Sequence, residues 1–202
     1  MYWIYRTQNK TWRGKPVQAI LIDPTTGKKI RFHTLNALKS PMQDEPYGVD
    51  LDLTFQVNPR HTHPDNYLDS VGFQIYSERL VRMMQVFRVN AETYPIKMVD
   101  PAGDPLLNLK YYIFHHLEGV LPAMDEVRSG WTGDRNVGIP RLIVDPDKFP
   151  HRPIFICNHI YIPLMREDLK QAIQEEKITG FDFLRPENYR SGQFGIVFNY
   201  DE

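Results

Sequence analysis

The chain has almost no cysteine and no long apolar run, and both absences narrow the class of protein. Cys157 is the single cysteine among 202 residues, so no internal disulfide can form, which favours a reducing compartment. The longest apolar stretches, such as 19–22, are far shorter than the roughly 20 residues of a membrane-spanning helix. Residues 1–6 lack the basic start and the cleavage site of a signal peptide. The sequence therefore predicts a cytoplasmic protein with no membrane partner.

The chain also has little net charge, and this excludes a strong general attraction to polyanions. Lys and Arg together number 24 and Asp and Glu together number 25, so the formal net charge is -1. Such a balance gives no global field that would attract nucleic acid or anionic lipid. We therefore expect no nucleic-acid partner, and any partner must be recognised through local surface patches.

Short β-prone stretches alternate with two amphipathic helical patterns, which predicts an α+β fold with a mostly antiparallel or mixed sheet and two main helices. The first helix is expected to be capped by Ser77 and to run to about Val89. The second is expected to begin near Pro163 and to continue to Glu176. The predicted strands cover residues 2–5, 17–22, 30–35, 51–57, 94–99, 109–117, 141–144, 153–157, 181–184 and 195–200.

Prolines and polar residues are concentrated between residues 40 and 70, and this predicts a boundary near residue 65. The chain would then divide into a strand-rich N-terminal lobe, 1–65, and an α+β domain, 66–202. Packing of both parts as a single domain stays open. No internal repeat is evident beyond a loose helix-then-strand similarity of 77–99 and 163–184, which is common in α+β folds.

Residues 23–27 form the clearest turn signal in the chain. Pro24 fixes its own φ, and Gly27 can adopt the positive φ that closes a tight turn. The sequence therefore predicts a hairpin between a strand that ends at Ile22 and one that begins at Ile30.

Three pairs of potential metal ligands occur, but no metal or catalytic signature is complete. The pairs are His61 with His63, His115 with His116, and Cys157 with His159. A catalytic zinc needs three such ligands, and sequence alone does not bring the pairs together. No serine lies in the glycine-flanked turn that exposes a nucleophile. We therefore predict no catalytic residue, no metal and no cofactor, with a small metal-dependent enzyme that uses His or Cys ligands as the alternative.

Charge is distributed unevenly along the first 70 residues. Residues 1–40 contain eight basic side chains and one acidic one, whereas residues 41–70 contain six acidic side chains and one basic one. Mutual pairing of the two segments is the ordinary explanation. The alternative is an acidic surface that binds a protein, and its candidate residues are Asp44, Glu45, Asp50 and Asp52.

A second candidate contact is the glycine-containing loop at 129–136. It offers Trp131 and Arg135, the residue types most enriched in interface hot spots, together with Asp134. In the alternative interpretation, Trp131 packs onto the core and Arg135 pairs with Asp134. Both interpretations stay open at the level of sequence.

Several short stretches in the second half of the chain resemble a known bacterial family. These stretches are 72–80, 94–96, 111–113, 154–155 and 178–181. Together they resemble the eleventh family of polymorphic-toxin immunity proteins, long catalogued as a domain of unknown function, over roughly 69–184. Asp125 and Ser129 stand near positions where that family tends to place an acidic residue and a serine.

The resemblance implies a protein without enzymatic activity that is made beside a toxin in the same cell. Its partner would be the cognate toxin, which it would neutralise by direct, stoichiometric binding. The identity of the toxin, the surface that meets it and self-association into a homo-oligomer are left open by the sequence.

Overall fold

The computed structural model describes residues 1–7, 18–30, 51–69, 73–117, 119–133, 139–145, 147–148, 152–157 and 162–189. These residues form eleven strands, two helices of nine residues, one short helix and a 3₁₀ turn at Pro186–Asn188. The strands make one closed barrel and one open sheet. The predicted α+β class is therefore confirmed.

Six strands close the barrel. They are β2 (Gln18–Ile22), β3 (Thr54–Gln56), β4 (Asn66–Asp69), β5 (Ile75–Ser77), β6 (Ala91–Val99) and β7 (Tyr111–His116). Their order around the barrel is β2-β3-β6-β7-β5-β4. The β2–β4 and β3–β6 pairs are parallel, and the other pairs are antiparallel. Phe55, Tyr67, Ile75 and Ile113 are among the side chains that fill the interior.

Five strands form the open sheet. They are β1 (Tyr2–Thr7), β8 (Val120–Leu121), β9 (Ile154–Cys157), β10 (Ile162–Arg166) and β11 (Phe181–Leu184). In the order β11-β1-β10-β9-β8, the N-terminal strand lies between two strands from the C-terminal part of the chain. Because β1 joins this sheet while β2 and β3 join the barrel, the boundary predicted near residue 65 does not coincide with the division between barrel and sheet.

Two helices fill the space between the barrel and the sheet. They are α1 (Glu78–Val86) and α3 (Glu167–Glu175). Leu80 and Met84 of α1 and Leu169 and Ile173 of α3 belong to one core cluster that also contains side chains of both sheets. Each such buried side chain contributes about 1.5 to 3 kcal/mol, so this layer joins the two sheets strongly. In the described part of the chain, no helix has the length and apolar composition needed to cross a bilayer.

The structure places each of these helices in a similar strand–helix–strand unit. The first unit is 75–99 and the second unit is 162–184. Arg88 and Lys177 follow the two helices with φ values of 56° and 53°. In each unit a backbone N–H then returns to the last helical turn, from Val89 to Met84 at 3.0 Å and from Ile178 to Ile173 at 2.9 Å. Both helices therefore end in the same left-handed motif.

Ser77 caps α1 as predicted, because its hydroxyl accepts a hydrogen bond from the Leu80 N–H at 3.2 Å. The start of α3 differs from the prediction. Pro163 lies inside strand β10, paired with Ile156 of β9, and the helix begins at Glu167. Within β10, β1 pairs only with residues 164–166, so Pro163 has a neighbouring strand on one side alone, a position that tolerates its missing N–H.

The predicted turn at 23–27 is confirmed. Gly27 has a φ of +67°, and its N–H donates to the Asp23 carbonyl at 2.8 Å. Ile22 and Lys29 form a bridge across the turn. The strand predicted at 30–35 has only its first residue, Ile30, within the described part of the chain.

Other differences concern the smaller strands. Residues 141–144 do not form a strand, since Val144 makes only an isolated bridge to Met124. The strand predicted at 195–200 lies outside the described residues. Strands β4, β5, β8 and β10 are additions that the sequence did not predict.

Candidate functional site

A carboxylate just before β4 connects the two strand–helix–strand units. Asp65 accepts hydrogen bonds from the Ser77 hydroxyl at 2.7 Å and from the Thr179 N–H at 2.9 Å. It also accepts from Arg79 Nη2 and from the Thr179 hydroxyl, each at 3.1 Å. Asp65 belongs to the acidic segment, but its charge is used within the fold.

The neighbouring residue continues this connection. The Asn66 N–H donates to the Thr179 carbonyl at 3.2 Å, and Asn66 Nδ2 donates to the Gly180 carbonyl at 3.0 Å. Thr7 on β1 donates to the Asn66 side chain at 3.2 Å. Residues 178–181, part of the stretch that resembles the immunity family, therefore help to hold the barrel against the sheet.

Asp125 and Ser129 also have structural roles. The Asp125 side chain accepts from the Arg128 N–H at 2.9 Å and so caps the short helix α2 (Glu126–Ser129). Ser129 is 1% exposed, and its hydroxyl accepts from the Ile143 N–H at 2.9 Å. These contacts fasten residues 123–131 to the segment that follows the Trp131 loop.

Trp131 is half-buried at the end of α2. Its backbone N–H donates to the Glu126 carbonyl at 2.9 Å, and its side chain packs against a core cluster that includes Leu142 and Phe155. The structure thus places Trp131 on the core, as one of the two interpretations expected. Asp134 and Arg135 lie outside the described residues.

Only one of the four acidic candidates lies within the described residues. Asp44, Glu45 and Asp50 lie outside them, whereas Asp52 is exposed and pairs with Lys97 Nζ at 2.8 Å. The expected pairing between the basic and acidic segments stays a prediction, because many of their charged residues lie outside the described residues. Asp52 and Asp65 bind cations from β6 and α1, and Arg6 binds Asp182 at 2.9 Å.

The described members of the three ligand pairs do not assemble a metal site. His115 and His116 are both buried, and as neighbours on β7 they point to opposite faces of the strand. Cys157 is buried in β9, and His159 lies outside the described residues. Within the described ranges, no group of three His, Cys, Asp or Glu side chains could hold an ion.

His116 belongs to a buried polar cluster between the barrel and the sheet. Its Nε2 donates to Gln74 Oε1 at 2.8 Å, and the Tyr76 hydroxyl donates to the same oxygen at 2.9 Å. Burial, with the neighbouring His115, lowers the pKa of His116 to about 3, so the imidazole is neutral. Burial likewise raises the pKa of the Tyr5 hydroxyl. These groups are held inside the core.

A cleft of about 800 Å³ opens on the side of the barrel. One wall is the turn at 24–27, and another is the loop that contains Pro101, Pro105 and Leu107. Thr54 of β3 and Lys97 of β6 also line it. This cleft lies next to a predicted site residue, because Lys97 in its lining pairs with Asp52.

Each wall of the cleft is fixed by a carboxylate within its own turn. Asp23 accepts from the N–H groups of Thr25 at 2.8 Å and Thr26 at 3.0 Å, and these bonds lower its pKa. Asp100 accepts from the N–H groups of Ala102 at 2.7 Å and Asp104 at 3.0 Å. Such turns hold their shape without a ligand, so the cleft is preorganised.

The chemistry of the cleft suits binding rather than catalysis. Lys97 is the single charged residue in the lining, and the other lining residues are apolar, hydroxyl, amide or glycine. Leu107 at its edge is 87% exposed. The described lining has no carboxylate, imidazole or thiol to act as an acid, a base or a nucleophile.

Sequence reasoning found one residue next to this cleft and predicted the turn that forms one wall, but it missed the other wall. Asp52 was a candidate, whereas the loop at 100–109 was not singled out. Its signal was a cluster of Pro, Gly and Asp followed directly by Leu106 and Leu107. A turn followed by two leucines indicates a surface loop with an apolar side chain exposed to solvent.

No protein-family model matches this chain, and a search of curated proteins gives no significant match.

Proposed function

We propose that this protein is an immunity protein that neutralises a cognate bacterial toxin by direct, stoichiometric binding. It carries out no reaction of its own in this proposal. The observation that carries it is the preorganised cleft beside the barrel, which offers apolar and hydroxyl groups and one cation to a partner.

The make-up of the cleft supports a protein partner. Protein interfaces combine an apolar centre with a polar rim, and exposed apolar side chains next to a concavity are typical of them. Leu107 is such a side chain, and the exposed Lys97–Asp52 pair lies beside it as a polar border.

The resemblance to the immunity family gives separate support. It covers about 69–184, and the residues that carry it include Ser77 and Thr179, which bind Asp65 in this chain. The resemblance therefore concerns the elements that build and hold this fold.

A stable complex of this kind buries about 1,200 to 2,000 Å² in total. This area exceeds what one cleft provides, so the interface extends onto neighbouring surface. We propose that the cleft supplies the central contact. The Trp131 loop and the acidic segment remain the surfaces predicted to extend it.

In this proposal the protein acts in the cytoplasm of the cell that makes the toxin. The experiment is co-expression with the toxin encoded by the neighbouring reading frame, followed by purification through a tag on one partner. We expect rescue of growth and recovery of both proteins in equal amounts. Rescue by traces of this protein, with no complex, would refute binding as the mechanism.

A substitution in the cleft sharpens this test. Leu107→Asp places a charge on a side chain that is already in water, so folding should be unaffected. We expect it to weaken the complex at least tenfold. Val86→Asp is the matched control, because Val86 is similarly exposed on α1 and does not line the cleft.

Elemental analysis separates this proposal from the alternative of a metal-dependent enzyme. Protein purified without added metal is expected to contain no transition metal at stoichiometric levels. One zinc or iron per chain would favour the alternative.

A further inference from the structure

The open sheet repeats the strand arrangement of the barrel. In the order β6-β7-β5-β4-β2 the barrel has three antiparallel pairs and then a parallel one, and the open sheet has the same pairs in the order β11-β1-β10-β9-β8. The central strands also correspond in sequence, with Tyr-Tyr-Ile-Phe at 111–114 of β7 and Tyr-Trp-Ile-Tyr at 2–5 of β1. Ile113 and Ile4 each pair with the strand before a helix and with the strand after it.

The correspondence extends to one wall of the cleft. β2 leads into the turn that forms this wall, and β8 leads into α2. Asp23 and Asp125 begin these two segments, and each carboxylate accepts N–H groups from its own segment. Further along, an N–H donates back to the aspartate carbonyl, from Gly27 at 2.8 Å and from Ser129 at 2.9 Å. The wall of the cleft and the start of the Trp131 loop are thus the same element in the two sheets.

Two residues that line the cleft have counterparts beside Trp131. Ile22 pairs with Thr54 across β2 and β3, and both line the cleft. Met124 lies as far beyond the β8–β9 pairing as Ile22 lies beyond the β2–β4 pairing, and it forms the corresponding bridge to Val144. Met124 belongs to the core cluster against which Val144 and Trp131 pack. In the open sheet, therefore, an indole ring packs with the counterparts of residues that line an open cleft in the barrel.

The lining of the cleft suits an aromatic ring. One wall presents apolar surface through Pro101 and Leu107. Met98 and Lys97 also line the cleft, and an aromatic ring gains from contact with a thioether and from a cation over its face. The threonine hydroxyls of the turn at 24–27 can accept the N–H of an indole. These contacts do not depend on the balance of charge around the cleft.

Resting on the proposed function, we infer that the partner protein inserts an aromatic side chain into this cleft. The ring takes the place that Trp131 takes in the open sheet, between the turn at 24–27 and the loop that contains Pro101 and Leu107. The barrel thus leaves to the partner a contact that the open sheet makes with its own side chain. An aromatic side chain in a preorganised cleft is the usual form of a binding hot spot, so this contact supplies the centre of the interface.

A side chain that fills the cleft from within should exclude the partner's ring. Ala102 lines the cleft and is exposed, so Ala102→Trp should fold normally and weaken the complex with the neighbouring toxin by about tenfold or more, as measured by isothermal titration. Val86→Trp is the matched control, because Val86 is exposed on α1 and does not line the cleft. Equal affinities or equal losses in the two variants would overturn the inference while leaving immunity by binding intact.

A titration with a small aromatic probe tests the cleft without the toxin. N-acetyl-tryptophanamide or N-acetyl-leucinamide is added at millimolar concentration to ¹⁵N-labelled protein. The tryptophan probe should shift the amide signals of Gly27, Lys97 and Leu107 about threefold more than the leucine probe, and Ala102→Trp should abolish these shifts. If the tryptophan probe binds in this way but no toxin complex forms, the proposed function fails and the aromatic site stands. If the two probes act equally, or neither shifts these signals, the inference fails.

Discussion

The first unit (75–99) and the second unit (162–184) end alike and begin differently. Each helix is followed by a residue in the left-handed conformation, Arg88 after α1 and Lys177 after α3. In both units a backbone N–H then donates back to the last helical turn. At the other end, α1 has a serine cap held by Asp65, whereas Arg166 caps α3 without a side-chain hydrogen bond to the backbone. Local backbone geometry thus sets the C-terminal end of each helix. The N-terminal end is set by the side chains that contact it from neighbouring elements.

The start of α3 meets β1 instead of a loop carboxylate. Glu167 accepts a hydrogen bond from the Trp3 indole, and Lys170 Nζ lies 3.9 Å from the centre of the Trp3 ring. Arg166 pairs with Asp168 at 2.7 Å in place of a cap. The start of the first helix is therefore fixed by polar contacts at the barrel, and the start of the second by contacts with Trp3 in the sheet.

The largest expected effect comes from breaking the residue that joins the units. Asp65→Ala should lower the free energy of unfolding by about 3 kcal/mol, because it leaves Ser77, Arg79 and Thr179 without their shared acceptor. Urea unfolding followed by tryptophan fluorescence measures it. Should that variant not fold, Asp65→Asn gives a smaller loss of the same origin.

Asp52→Ala is the control for this loss. Its carboxylate is exposed and has one cationic partner, so less than about 0.5 kcal/mol should be lost. Equal losses at Asp52 and Asp65 would contradict the joining role.

The buried histidine beside the first unit makes stability depend on pH. The pKa of His116 is about 3 in the folded protein and about 6.5 when unfolded, so below pH 6.5 the unfolded chain binds the proton first. The stabilisation is complete above pH 6.5 and is lost as pH falls toward 3. Between pH 7 and pH 5 the loss from this one group is about 2 kcal/mol.

Urea unfolding at both pH values measures this effect by difference. His116→Gln should reduce the dependence on pH by about that 2 kcal/mol, whereas His61→Gln, in a loop outside the core, should leave it nearly unchanged. A His116 variant with the full dependence would show that other groups cause it.

The two N-terminal caps should respond unequally. Ser77→Ala removes both the cap of α1 and one contact to Asp65, so we expect a loss of about 1 to 2 kcal/mol. Arg166→Ala removes a partly exposed ion pair, with an expected loss of about 0.5 kcal/mol. Thermal unfolding of both variants compares them. If Arg166→Ala cost as much as Ser77→Ala, the difference between the two starts would disappear.

Glycine substitutions at the C-terminal ends of α1 and α3 should raise the free energy of unfolding by similar amounts. Arg88 and Lys177 occupy a left-handed conformation that glycine adopts without a steric penalty. Arg88→Gly and Lys177→Gly should each raise stability by up to about 1 kcal/mol. Denaturant midpoints measure both, and a gain at one site with a loss at the other would show that the two ends are not equivalent.

Much of the fold could be predicted because its signals are local. The cap at Ser77, the turn at Gly27 and strand β11 depend on residues close to one another in the chain. The barrel could not be predicted, since it closes through the parallel pairs β2–β4 and β3–β6, which join distant segments with no local signature. Pro163 was wrongly predicted to start a helix for the same reason. A proline fits in β10 only because β1 does not pair with that residue, and this depends on a distant strand.

Less of the candidate site than of the fold could be predicted from the sequence. Asp52 was found as one charge in an acidic segment, but its partner Lys97 is 45 residues away and is brought to it by the β3–β6 pairing. The walls of the cleft come from the turn at 24–27 and the loop at 100–109, which only the closed barrel brings together around one cleft. Trp131 was found, although its ring packs on the core.

The most direct test of the account is a titration of the neighbouring toxin's activity with this protein at concentrations far above the dissociation constant. Binding predicts a linear loss of activity that is complete at one molecule of this protein per toxin. Full loss of activity at a small fraction of an equivalent, or full activity in the presence of an excess, would contradict it.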